Sequence, residues 1–136
     1  MSVELDRQSG DLVWSLATGL YAGYNLHQVF EAMAVEAPEP AASAARRFLE
    51  ALDQDGLEIA LHRWKEALAS PALARLADLL ESHQQVGGNL ADLLMPLSDE
   101  LLDQFGSDPA FYASMRTQAK ALGAALPERV VHSKNQ

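Results

Sequence analysis

Apolar residues, mostly leucine and alanine, recur at intervals of three and four along nearly the whole chain. That spacing places them on one face of an α-helix, and no segment shows the alternating pattern of a half-buried strand. The pattern predicts six helices and a weaker seventh, at 11–22, 26–37, 41–54, 57–69, 71–86, 90–105 and 110–126. The predicted fold class is therefore all-α.

The connections between these segments carry residues that typically end or begin helices. A Pro-Glu-Pro sequence at 38–40 and Gly56 end the second and third helices, while Ser70 and Pro71 suit the start of the fifth. Short connections make successive helices pack side by side, so we predict a compact bundle of about six antiparallel helices. Pro96 lies inside the sixth helix, where it predicts a kink or a break.

Two of the predicted corners have related sequences. GYNL at 23–26 precedes the second helix, and GGNL at 87–90 precedes the sixth. Each asparagine can cap the helix that follows, and Gln28 and Asp92 lie three residues further on, where a capping-box partner would be. The preceding glycine can adopt the positive φ that ends the incoming helix. The similarity raises the hypothesis that the domain consists of two related three-helix halves.

A phosphate-binding role for the glycine-rich corner is disfavoured by its context. A P-loop follows a strand and ends in Gly-Lys-Ser or Gly-Lys-Thr, whereas here a helix precedes the glycines and no lysine follows. We interpret these residues as structural corner residues that shape the fold, with no catalytic, cofactor-binding or metal-binding role. They are Gly23, Asn25, Leu26, Gly56, Gly87, Gly88, Asn89 and Leu90.

The net charge of the chain limits the classes of molecule that it could bind. The 136 residues include 10 Lys and Arg against 19 Asp and Glu, a formal net charge of -9, and no cysteine. Nucleic-acid binding needs basic surface to neutralise phosphates, so the charge argues against it, as it does against anionic lipid. The uncharged run at 12–30 has nearly the length of a membrane span, but its several polar side chains and two glycines argue against one. The sequence also shows no signal peptide.

Few residues are spaced as they would be in a metal-binding or catalytic site. The sequence DQDGLE at 53–58 resembles the start of a calcium loop, but His62 stands where the final glutamate ligand belongs. A solvated helix end is the favoured interpretation, and a weak cation site is the alternative. No two of the four histidines (His27, His62, His83 and His132) have the spacing of a metal pair, and no orienting acid is evident near Ser82. We therefore expect no enzyme and no cofactor.

Aromatic residues follow the same apolar faces. We predict that they fill the core or the seams between helices rather than form a ligand box. They are Trp14, Tyr21, Tyr24, Phe30, Phe48 and Trp64.

Three stretches together resemble the type II secretion system F domain family, which includes inner-membrane platform proteins of type II secretion, type IV pili and tight-adherence pili. They are LATGLYAGYNLHQVFEAMA at 16–34, DQDGLEIALHRWKEALASPALARLADLLES at 53–82 and QQVGGNLADLLMPLSDEL at 84–101. The GGNLADLL block is the most specific, and the chain is most similar to the tight-adherence type.

The resemblance implies a cytoplasmic scaffold and coupling domain at the inner membrane, which contacts the assembly ATPase and other platform proteins. A homodimer is a further hypothesis. We predict the F-like domain at 11–105, and a C-terminal helix and polar tail at 106–136. Basic, alanine-rich residues at 115–131 resemble the segment that precedes a membrane span in tight-adherence proteins, but no span follows. The expectation is either a soluble piece of an anchored protein or an anchorless homologue acting as a free adaptor or regulator.

Overall fold

The structure, a computed structural model, describes residues 3–121. Seven helices account for nearly all of them, and no strand occurs within this range, which confirms the all-α prediction. The helices are α1 (Val3–Tyr21), α2 (Leu26–Glu36), α3 (Ala41–Asp55), α4 (Leu57–Leu68), α5 (Pro71–Val86), α6 (Leu90–Phe105) and α7 (Pro109–Ala121).

The start of the first helix differs most from the prediction, the other boundaries within residues 3–121 agree to within one residue, and α6 runs through its proline. The first helix begins at Val3 instead of residue 11, because polar side chains in its first turns are buried against other parts of the chain. The last helix begins at Pro109, and the predicted part beyond Ala121 lies outside the described residues. Of the kink or break predicted at Pro96, the break does not occur, because α6 is one continuous helix from Leu90 to Phe105. Pro96 is exposed, so water can reach the carbonyl of Asp92, which loses its usual N–H partner there.

The first helix is the centre of the bundle. Between residues 5 and 19 every residue except Arg7 is buried, because α1 contacts α2, α3, α5, α6 and α7. A helix covered on all sides tolerates apolar residues around its whole circumference. The uncharged run that has nearly the length of a membrane span therefore includes the second half of a core helix. Within residues 3–121, no helix is both long enough and apolar enough to cross a bilayer.

Two glycines of α1 allow its neighbours to approach closely. A Cβ at Gly10 would lie 2.8 Å from the backbone nitrogen of Leu102 on α6. A Cβ at Gly19 would lie 2.5 Å from a methyl group of Val29 on α2. Both distances are shorter than real contacts, so the absence of a side chain sets the spacing of α1 against α6 and α2.

Successive helices run antiparallel, so the connections between them lie at two opposite ends of the bundle. Gly10 lies beside Ser98 and Leu102, while Tyr21 contacts Asp92, so α1 and α6 run in opposite directions. We call the end with the α1–α2, α3–α4 and α5–α6 connections the glycine end. The N-terminal end holds the start of α1 and the α2–α3, α4–α5 and α6–α7 connections.

Three buried side chains of α1 bind the three connections of the N-terminal end. A carboxyl oxygen of Asp6 accepts hydrogen bonds from the Ser70 hydroxyl at 2.5 Å and the Ala72 N–H at 3.2 Å. Gln8 donates to the Glu39 carbonyl at 3.3 Å. Asp11 accepts from the Asp108 N–H at 2.5 Å and from Ser107 at 3.0 Å. One helix thus fixes three otherwise separate loops.

Candidate functional site

The α1–α2 corner is built from local hydrogen bonds. Gly23 has a φ of 97°, a value that favours glycine, and its N–H bonds the Leu20 carbonyl at 3.0 Å. The Asn25 side chain accepts from the Gln28 N–H at 2.8 Å, and the Gln28 side chain accepts from the Asn25 N–H at 2.9 Å. This reciprocal pair is a capping box at the start of α2, and Leu26 follows as its first residue.

The α5–α6 corner shares the positive-φ glycine and the asparagine cap with the α1–α2 corner. The N–H of Gly87 bonds the His83 carbonyl at 2.7 Å, and Gly87 and Gly88 have φ values of 82° and 99°. The Asn89 side chain accepts from the Asp92 N–H at 3.1 Å and so caps α6, which begins at Leu90. A ring nitrogen of His83 also lies 2.9 Å from the Gly88 carbonyl, a contact that sequence reasoning missed.

The Asp92 carboxylate has a different role from that of Gln28. It accepts a hydrogen bond from the Tyr21 hydroxyl and so joins the two related corners directly. The same bond holds the pKa of Tyr21 above its ordinary value, because ionisation would remove the donated proton beside a carboxylate. Sequence reasoning placed Tyr21 in the core or in a seam between helices. Its side chain is half exposed, so it does not lie in the core, and it contacts Asp92 where α1 meets α6.

The third corner of the glycine end surrounds Gly56, whose N–H bonds the Leu52 carbonyl at 3.0 Å. His27 connects this corner to α2. Its ring nitrogens lie 2.9 Å from Glu31 and 3.3 Å from Asp53. The Glu31 carboxylate, and then that of Asp53, raise the pKa of His27 because both stabilise the protonated ring.

The acidic sequence at 53–58 contacts basic side chains of the chain itself. Asp53 contacts His27, and Asp55 contacts Arg63 at 2.5 Å. Nowhere in the part of the chain that the structure describes do three histidine, aspartate or glutamate side chains group as they would around a metal ion. Of the other histidines, His62 contacts Glu66 at 3.2 Å, and His132 lies outside the described residues.

Most predicted core aromatics are buried. Phe30, Phe48 and Trp64 form one cluster with ring centroids 4.4 to 5.7 Å apart, and the Trp64 indole donates to the Ala44 carbonyl at 2.9 Å. Trp14 packs against Tyr112. Leu93 departs from the pattern: it shares the apolar spacing of α6, yet 45% of it is exposed.

The exposed side of α6 is acidic. We call Asp92, Leu93, Pro96, Asp99, Glu100 and Asp103 the α6 outer face, since all six are exposed and lie on adjacent stripes of one helix. The helix contains no Lys or Arg, and Glu100 is paired with Arg75 of α5. From the sequence alone, the acidic run at 99–103 is interpreted most simply as a solvated face, with a docking surface for a basic partner as the alternative.

A comparison with models of known protein families found a match to this chain. The model of the family described as type II secretion system (T2SS), protein F, matches residues 14–123, which is most of the chain. A search of curated proteins and a search of solved structures found no significant match. The family comprises platform proteins of secretion and pilus systems, and its domain is non-enzymatic. The chain therefore belongs to the type II secretion system protein F family.

Proposed function

We propose that this chain is a scaffold and coupling domain of an inner-membrane platform, of the tight-adherence type, that contacts the assembly ATPase and other platform proteins. The observation that carries the proposal is the family match over residues 14–123. In this role the domain acts through protein contacts at the cytoplasmic face of the membrane. A rigid helical bundle suits the role, because it presents surfaces of fixed shape to several partners.

Binding to the ATPase tests the proposal directly. The full chain is immobilised, and the purified assembly ATPase of the same organism is passed over the surface at increasing concentrations. We expect a saturable response that weakens as salt rises, because the chain carries a net charge of -9. An unrelated acidic helical protein of similar size is the control. A response no larger than that control contradicts the ATPase contact.

A genetic test addresses the scaffold role. Deleting the gene is expected to abolish secretion or pilus assembly, and the wild-type gene is expected to restore it. Normal secretion and normal pili after deletion would contradict the platform role and favour a free adaptor or regulator.

A further inference from the structure

The last helix of the described chain is attached differently from the others. Each helix from α2 to α6 packs against the helix that precedes it, whereas α7 packs against α1 and α2 and has little contact with α6. Among residues 109–116, the buried side chains are Phe111 and Met115, which lie four residues apart on one side, and Ala110 and Arg116 are exposed. The described part of α7 therefore rests on the bundle along one narrow stripe.

The start of α7 and its body are held by different kinds of contact. The fully buried Asp11 carboxylate accepts from the Ser107 hydroxyl at 3.0 Å and from the Asp108 N–H at 2.5 Å, directly before α7 begins. Hydrogen bonds to a carboxylate are stronger than those between neutral groups. The body is held by apolar packing, and its Tyr112 ring lies 5.1 Å from that of Trp14. The start is thus the more firmly held part of the helix.

We propose that α7 is a hinged strap. Its start stays tied to α1 by Asp11, while its body lifts from the groove between α1 and α2 and helices α1–α6 stay folded. An element with few buried apolar contacts opens at a lower free energy than the core does, and a hinge needs only a few residues at the end of an element. Opening changes the direction in which the chain continues past Ala121. This role follows from the fold and does not depend on the proposed function.

The two tryptophans of the chain report on different parts of this arrangement. Trp14 is 4% exposed and lies against Tyr112 of α7, so its environment changes when α7 lifts. Trp64 lies in the aromatic cluster with Phe30 and Phe48, so its fluorescence follows the unfolding of the bundle. Replacing either tryptophan leaves the other as the single reporter.

Urea unfolding of two full-length single-tryptophan variants tests the strap. In Trp64→Phe, the fluorescence of Trp14 is compared with far-ultraviolet circular dichroism, which follows the helices of the whole chain. We expect the fluorescence midpoint about 1 M urea below the circular dichroism midpoint, because different probes coincide only when all parts unfold together. In Trp14→Phe, the midpoints of Trp64 fluorescence and circular dichroism should be the same. Coincident midpoints in Trp64→Phe would overturn the strap.

Two methionine substitutions in the Trp64→Phe variant separate the strap from the bundle. Met115→Ala should lower the midpoint of Trp14 fluorescence further and leave the circular dichroism midpoint nearly unchanged, because α7 is already open when the bundle unfolds. Met95→Ala, the same change at a partly buried position of α6, should lower the circular dichroism midpoint instead. Equal shifts of both midpoints by Met115→Ala would contradict a separately opening α7.

Hydrogen exchange of the wild type keeps the test valid if Trp64→Phe fails to fold. Protection factors of the amides at 113–116 should be at least about tenfold smaller than those at 12–18 in α1. Equal protection in the two helices would overturn the strap. Binding of the assembly ATPase, or its failure, bears only on the proposed function.

Discussion

The two ends of the bundle are held together in different ways. At the N-terminal end, Asp6, Gln8 and Asp11 of one helix bind connections that lie about 30 to 100 residues away in sequence, and all three side chains are buried. At the glycine end, each corner is closed by bonds within a few residues. The links between those corners, from Tyr21 to Asp92 and from His27 to Asp53, are exposed.

This difference predicts unequal stability. A buried hydrogen-bonding group that loses its partner costs much more than an exposed one, because water cannot replace the lost bond. The stability of the N-terminal end should therefore depend on a few side chains, and the connections at that end should unfold together. The glycine end should depend on many small contributions and respond to mutation locally.

The largest expected effect comes from Asp6→Ala. The change leaves the Ala72 N–H and the Ser70 hydroxyl buried without their acceptor, and Ser70 also caps α5. We expect a loss of about 3 kcal/mol in the free energy of unfolding, measured by urea denaturation. Hydrogen exchange should show lost protection at Ala72 and Leu73.

Glu4→Ala is the matched control, since Glu4 is exposed in the first turn of the same helix. It should change stability by less than about 0.5 kcal/mol. Equal losses from the two variants would show that the buried Asp6 contacts do not hold this end.

The same contrast explains which features could be predicted from sequence. The caps at Asn25 and Asn89 depend on neighbours three residues away, so their spacing is visible in the chain. The Asp6 contacts depend on a loop 64 residues away, and nothing local marks Asp6 as buried. A polar first turn looks solvated unless its partners are known, which is why α1 was predicted to begin eight residues late. Leu93 is the opposite case: it has the apolar spacing of α6 and is nevertheless exposed, because apolar spacing alone cannot show which side of a helix remains uncovered.

Removing the two asparagine caps of the glycine end is expected to have an effect of intermediate size on the free energy of unfolding. Asn25→Ala and Asn89→Ala should each lower the free energy of unfolding by about 1 kcal/mol, because each removes the side-chain acceptor of one helix start. The two side chains share no partner, so the double variant should equal the sum within about 0.5 kcal/mol. Urea denaturation of the three variants checks this. A large departure from additivity would mean that the glycine end also behaves as one unit.

A smaller effect depends on pH. The raised pKa of His27 means that the folded state binds the proton more tightly than the unfolded state. Its contribution is therefore complete below the ordinary pKa of 6.5 and is lost as pH rises through the higher folded value. Because His27 is about 40% exposed, solvent limits the effect to a few tenths of a kcal/mol. The stability difference between wild type and His27→Gln should shrink from pH 5.5 to pH 8.5. A stability difference that is constant with pH would contradict the contacts of protonated His27 with Glu31 and Asp53.

The smallest expected effect is at the link between the two related corners. Asp92→Asn replaces the carboxylate that accepts from Tyr21, so the pKa of Tyr21 should fall toward its ordinary value of 10.0. Asp99→Asn, two helical turns further along the same side of α6, should leave it unchanged. Titration of the Tyr21 ring signal by NMR measures both variants, and the melting temperature should barely move because the bond is exposed. If instead Asp92→Asn destabilises the protein as much as the loss of a cap does, the two corners depend on each other, and the glycine end is joined by a tertiary contact in the same way as the N-terminal end.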